Sequence, residues 1–204
     1  MRIAIYGGTG NIGSQVVAEA VSRGHQVTSL ARHEKSAADG ATFMIGDAAD
    51  PSTTRAIAET HDVVVSALGP TRDPNGDPDT FADVIGALAE AVGSTRLVVV
   101  GGAGSLLAEP GGRLVDTPEF PPADKAEALA TARALELLRE ADPGVDWTYL
   151  SPAPELAPGE RTGKYLVALD EPAGAYITIS DYAVALVDEI ENPQHRRQRF
   201  TVAN

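Results

Sequence analysis

The sequence predicts an α/β fold: a doubly wound parallel sheet forming a single domain over residues 1–204, with small C-terminal insertions. Three observations carry this expectation. Strand-like and helix-like stretches alternate from the first residues. The strand-like runs, DVVVS at 62–66 and RLVVV at 96–100 among them, are almost continuously apolar, as strands covered on both faces are. The first strand stops at glycines in IAIYGGTGNIG, residues 3–13, and an amphipathic helix leaves at once.

Residues 2–6 read as the first strand. Ile12, Val16 and Ala20, with Val17 and Val21 beside them, form the stripe of the first helix, which Arg23-Gly24 closes. Residues 26–30 and 41–45 read as the second and third strands. Gly46-Asp47 and a helix over 51–59 follow, then the fourth strand at 62–66. Phe81, Val84, Ile85, Leu88 and Val92 share one helical face. The fifth strand, 96–100, ends in Gly101-Gly102. Residues 103–122 hold many glycines and prolines and read as a loop over the site. Pro121-Pro122 then opens a helix striped by Ala128, Ala132, Leu135 and Leu138. Residues 146–150 make a sixth strand, 151–163 an irregular loop and 164–169 a short strand. Ser180-Asp181 caps a helix running to about residue 191, where Asn192-Pro193 stops it. Residues 198–202 form a last strand, and His195-Arg196-Arg197-Gln198-Arg199 reads as a solvated turn into it. Right-handed crossovers imply strand order 3-2-1-4-5-6, the Rossmann fold, with ligands at the carboxyl ends of the strands.

Composition narrows the function. The formal net charge of −13 repels phosphate backbones, so no nucleic-acid or anionic-membrane partner is expected. With no cysteine, disulfides, thiolate catalysis and cysteine-ligated metals are excluded. His25, His33, His61 and His195 are scattered without metal-ligand spacing, so no metal site is expected. There is no secretory-type start and no apolar run near the ~18 residues of a membrane helix, so the expected location is cytoplasmic. The oligomeric state stays open.

The chemistry-bearing residues follow the strands. Gly7, Gly10 and Gly13 stand in G-x-x-G-x-x-G spacing between strand and helix, the context of a dinucleotide pyrophosphate site. Thr9, Asn11 and Ile12 supply amides of the turn and helix end. After the second strand comes Leu30-Ala31-Arg32-His33, basic where an NAD enzyme carries a carboxylate. Arg32 suits the extra phosphate of NADP, so NADP(H) is expected over NAD, with Glu34 as an opposing charge. Asp47 either accepts from the adenine amino group or caps the next helix. Ala67, Leu68 and Gly69 are small or apolar where the chain passes the cofactor ribose. Gly102 and Ser105 follow the fifth strand at the expected reaction centre, where Ser105 either bonds a substrate carbonyl as the catalytic candidate or caps a turn. Pro152 either fixes main-chain groups for the carboxamide or is a plain loop proline.

With GGTGNIG at 7–13, LARH at 30–33, GDAAD at 46–50, VVSALGP at 64–70, VVVGGAGSL at 98–106, DWTYLSPA at 146–153 and PGERTGKY at 158–165, the chain resembles the atypical short-chain dehydrogenase/reductases. The resemblance is closest to the small NAD(P)H-binding proteins that include NADH-flavin and biliverdin/flavin reductases. It extends through DYAVALVDEIENPQHRRQRFTV at 181–202. Standard members place a tyrosine ahead of a lysine with three residues between them, and the lysine lowers the phenol pKa for proton exchange. Here Lys125 is on the corresponding helix, but Pro121 stands at the tyrosine position, which argues against alcohol dehydrogenation and epimerisation by that route. Hydride transfer to a planar small-molecule acceptor, flavin or quinone, asks less of the protein. On this resemblance Tyr165 either lines the acceptor pocket or packs the short strand, and Arg161 and Lys164 either attract a flavin phosphate or are solvated. The other reading is a nicotinamide-nucleotide sensor of the NmrA type, which binds without turnover.

Overall fold

The structure, a computed structural model, describes residues 1–34, 38–70, 79–108 and 111–204; positions 109–110 of the expected 103–122 loop lie outside them. Among the described residues ten strands are formed: β1 (Arg2–Tyr6), β2 (Gln26–Ala31), β3 (Thr42–Ile45), β4 (Val63–Ser66), β5 (Arg96–Val100), β6 (Trp147–Ser151), β7 (Glu155–Ala157), β8 (Leu166–Ala168), β9 (Tyr176–Thr178) and β10 (Gln198–Ala203). The helices are α1 (Asn11–Ser22), α2 (Pro51–Thr60), α3 (Asp79–Ala91), α4 (Lys125–Glu140) and α5 (Ile179–Glu191). The sheet runs β3-β2-β1-β4-β5-β6-β10-β8, so the expected order 3-2-1-4-5-6 is present and continues by two strands. β10 lies parallel to β6, and β8 closes the edge antiparallel to β10.

Period-two alternation divides the core in two. Ile3 and Ile5 of β1 face a cluster with Val16, Val17 and Ala20 of α1 and Tyr182, Leu186 and Ile190 of α5. Ala4 and Tyr6 face the opposite cluster with Ile57 of α2, Ile85 and Leu88 of α3, and Leu135 and Leu138 of α4. Helices thus cover both faces, which is why the central strands are mainly apolar, with Ser29, Ser66, Arg96 and Thr148 among the buried polar exceptions. The strand order reverses between β1 and β4, and the turn after β1 opens there, above the carboxyl ends.

Four expectations are corrected in the C-terminal part. The 151–163 loop contains β7, which pairs in parallel with β9 as a separate two-stranded sheet. Each has three residues, too few for a readable alternation. The cap of α5 is Thr178, whose side chain accepts from the Asp181 N–H, rather than Ser180-Asp181. The 195–199 turn is only partly solvated: Arg196 and Gln198 are exposed, but the other three residues are engaged. Arg199 is buried and bonds Asp170, Arg197 donates to the carbonyls of Asp142 and Val145, and His195 stacks on Phe200 at 4.1 Å. The short strand expected over 164–169 is confined to Leu166–Ala168.

Candidate functional site

The turn after β1 is shaped by backbone contact. Gly7 sits at φ +76, and its N–H donates to the Leu30 carbonyl at 3.1 Å. A Cβ there would lie 2.6 Å from the Ala67 carbonyl oxygen; one on Gly13 would lie 2.1 Å from that of Gly7. Both positions therefore admit only glycine without movement. Gly10 differs: its Cβ would meet one atom, the Gly7 oxygen at 3.2 Å. Gly10 is the N-cap of α1, with no side-chain cap and no acidic residue in the first turn. The Ser14 N–H is the first to bond back, to the Gly10 carbonyl at 2.9 Å. Among the described residues no backbone carbonyl accepts from Asn11, Ile12 or Gly13. Those N–H groups, and the positive end of the helix dipole, face the open side of the turn beside half-buried Thr9. This is a cradle for an anion with close backbone approach.

Arg32 directly follows β2, is exposed, and makes no hydrogen bond or ion pair with the described residues. The chain after β3 runs alongside, with the Gly46 N–H donating to the Ala31 carbonyl at 3.0 Å. Asp47 is exposed and accepts from the Ala49 N–H at 3.0 Å. Asp50, not Asp47, caps α2. It accepts from the Ser52 N–H at 3.0 Å and from the Thr53 hydroxyl at 2.6 Å, and the Thr53 and Ser52 bonds hold its carboxyl down at about 2. The capping alternative for Asp47 is thereby corrected.

A cavity of about 750 Å³ opens beside the turn. Ile12 of α1, Leu68, Gly69 and Pro70 after β4, and Gly101 and Gly102 after β5 line one side. Pro152, Pro154 and Leu156 line another. Leu114, Thr117, Glu119, Phe120 and Pro121 cover it, as the expected overlying loop. Of the residues read from sequence, Ile12, Leu68, Gly69, Gly102 and Pro152 meet here. Ala67 stays beneath the turn, bonded through its N–H to the Tyr6 carbonyl at 2.8 Å. The Gly102 N–H donates to the Tyr149 hydroxyl at 3.1 Å, which donates to the Thr131 carbonyl at 2.8 Å. Burial pushes the Tyr149 phenol up to about 12, so it is neutral and acts as a brace between β5, β6 and α4.

Other candidates lie elsewhere. Ser105, expected at the reaction centre, ends a 3₁₀ turn (Ala103–Ser105) and faces a smaller cavity with Arg113, Arg139 and Arg199. Its hydroxyl accepts from Arg199 at 3.4 Å. The turn directs the side chain behind the covering loop, away from the larger cavity. Lys125 is the exposed first residue of α4 and does not line the cavity, whereas Pro121 does. Arg161 is bound to Glu19 by two bonds of 2.8 Å, and Tyr165 donates to Asp188 at 2.5 Å. Asp181 takes the Thr162 hydroxyl at 2.6 Å and the Gly163 N–H at 2.7 Å. The GERTGKY segment is thus a clasp joining the 158–165 loop to α1 and α5, and the acceptor roles offered for Arg161, Lys164 and Tyr165 lack support in its position.

Sequence reading missed Phe120, Leu156, Glu119, Asp124 and Thr131, all of which line the cavity. Thr131 carried a signal: it stands three residues after Ala128 on the apolar stripe of α4, facing Gly102, whose Cβ would meet its hydroxyl at 2.4 Å. The others sit in loops or in three-residue elements, where no period is long enough to read. Among the described residues no cluster of side chains suits a metal ion, and no helix is long and apolar enough to cross a membrane.

A family model described as NAD(P)H-binding matches residues 7–193. The chain is 34% identical over 212 residues to the uncharacterized protein YwnB of Bacillus subtilis, covering 100% of this chain and 99% of that one. A solved structure from Burkholderia pseudomallei, described as a "putative exported protein", is 41% identical with TM-score 0.88 and full coverage of both chains. Another from Streptococcus pneumoniae, described as a "putative NADH-flavin reductase", is 34% identical with TM-score 0.90, covering 100% of this chain and 99% of that one.

Proposed function

The chain belongs to the NAD(P)H-binding family, and from that premise we propose that it is an oxidoreductase passing hydride from a reduced nicotinamide dinucleotide to a planar small-molecule acceptor, a flavin or quinone. The observation that carries this reading is the junction of two features. The glycine turn offers unpaired amides for a pyrophosphate, and the apolar cavity beside it, with Ile12, Leu68, Phe120, Pro152 and Leu156, offers room for flat rings. The Streptococcus pneumoniae relative named for NADH-flavin reduction supports the same choice.

The residues present fit the dinucleotide. A Cβ at Gly7 or Gly13 would strike the backbone that forms the cradle, and α1 offers its first amides without a competing cap or acid. Gly7, Gly10 and Gly13 shape the phosphate site, with the amides of Thr9, Asn11, Ile12 and Gly13 around it. Arg32 takes the adenosine 2′-phosphate, which favours NADP(H), and Asp47 serves the adenine side. Ala67, Leu68 and Gly69 form the ribose wall; Gly102 and Pro152 flank the nicotinamide end. The bound dinucleotide supplies two electrons and one proton as hydride, and the acceptor gains its second proton from water. The chain's own work is to bind, orient and exclude water, which needs no acidic side chain at the reacting atoms.

The test is to mix the protein with NADPH and, separately, riboflavin, FMN and a quinone, and follow loss of the reduced-nicotinamide absorbance. Turnover well above the uncatalysed rate supports the enzyme. Tight NADPH binding with no consumption by any acceptor would replace it with the sensor reading.

A further inference from the structure

The cavity proposed for the acceptor is apolar within and acidic at its rim. Glu119 and Asp124 stand on the covering side, Glu127 on α4 and Glu155 on β7, and all four are exposed. Among the described lining residues there is no lysine, arginine or histidine. Lys125, exposed and next to Asp124 in the chain, does not line the cavity, and the cations of the 158–165 loop are engaged or turned to another face. Arg161 is held by Glu19 at 2.8 Å, and Lys164 lines a different cavity beside Thr162 and Asn204. The net charge of −13 places the whole field on the same side.

An anionic group entering this mouth meets the like charges of the lining carboxylates, whose field reaches roughly 8–10 Å at physiological salt. Repulsion there is weakened but not abolished by solvent. An uncharged ring system meets no such opposition and gains the apolar contacts of Leu114, Phe120 and Leu156. Resting on the acceptor reading above, we infer that this site selects acceptors without an anionic group, an uncharged isoalloxazine such as riboflavin or an uncharged quinone, over the same rings bearing a phosphate or sulfonate. Glu119 and Asp124 are specificity-determining residues.

Two matched pairs test this. Riboflavin and FMN are titrated into the protein, with and without NADP⁺, and flavin fluorescence is followed. An uncharged naphthoquinone and its sulfonate are then compared as oxidants of NADPH. Riboflavin is expected to bind about tenfold more tightly than FMN at low salt, with the ratio falling toward one at high salt. The same collapse is expected in the Glu119→Gln/Asp124→Asn double variant, whose substitutions are exposed and leave the fold intact. Equal or tighter FMN binding at low salt, or a ratio indifferent to salt and to the double variant, overturns the inference. If the members of each pair behave alike while the quinones still oxidise NADPH, the selectivity fails and the oxidoreductase reading stands. If no acceptor binds and NADPH is not consumed, both fail.

Discussion

Alanine at Gly10 and alanine at Gly13 should fail in opposite ways. At Gly13 the added Cβ would lie 2.1 Å from the Gly7 oxygen, 2.8 Å from the Gly7 carbonyl carbon and 3.0 Å from the Gly8 Cα. Those are backbone atoms, and Gly7 is held by its own bonds to Leu30 and Gly10. Relief needs a shift of about 1 Å of α1 against β1, and overpacking of this kind costs about 1–3 kcal/mol. In a chain of this size that lowers Tm by roughly 2–12 °C. At Gly10 the backbone has φ −82 and ψ 177, extended and open to any residue. The new methyl meets only the Gly7 oxygen at 3.2 Å. A lost glycine cap costs up to about 1 kcal/mol, and the stiffer unfolded chain returns about 0.4–1 kcal/mol. The Tm of Gly10→Ala should therefore stay close to that of the parent. Its methyl projects where the pyrophosphate is proposed to sit, so NADPH affinity should fall at least about tenfold, or 1.4 kcal/mol. Thermal melts beside calorimetric NADPH titrations read both quantities. A Gly10→Ala protein that binds NADPH normally, or a Gly13→Ala protein that melts with the parent, would refute the reasoning.

Arg32→Ala should weaken NADPH far more than NADH in the same titration; equal weakening removes Arg32 from the 2′-phosphate. Tyr149→Phe should lower stability by about 1–3 kcal/mol in urea, because the Gly102 N–H loses its partner. It should leave the shape of the rate profile unchanged between about pH 6 and 9, since the phenol does not ionise there; a new or missing inflection would contradict the bracing role. Arg161, with smaller help from Arg23, lowers the Glu19 carboxyl below its ordinary value of 4.5 despite burial. Its contribution to stability is thus full above about pH 4.5 and fades as pH falls through the lowered folded value. Urea midpoints should fall below that pH, and Glu19→Gln should lower the plateau and flatten the acid limb. An unchanged acid limb would dismiss the Arg161–Glu19 clasp.

The N-terminal half was legible because its signals are local. The runs at 96–100 and 62–66 need only burial on both faces, and the turn at 7–13 needs only a strand before it and a helix after it. The C-terminal part depends on partners far along the chain. Arg161 meets Glu19 across 142 residues, and the buried Arg96–Glu189 pair spans 93. No window of sequence contains both members, so GERTGKY and the 195–199 stretch looked like loop charges when they are fasteners. Ser105 shows a subtler limit. Its position after β5 was read well, but a single 3₁₀ turn sent its side chain to Arg199 instead of the cavity. Strand order places a residue at the right end of the sheet; the dihedrals of a short turn decide which way it faces.

The account stands on a dinucleotide seated against the first amides of α1. Calorimetric titration of NADPH into the parent chain and into Gly10→Ala tests it most directly. A saturable one-to-one heat with the parent, lost or weakened at least about tenfold in a variant that melts normally, is the expected result. No heat with either NADPH or NADH, or equal heat from both proteins, would contradict it.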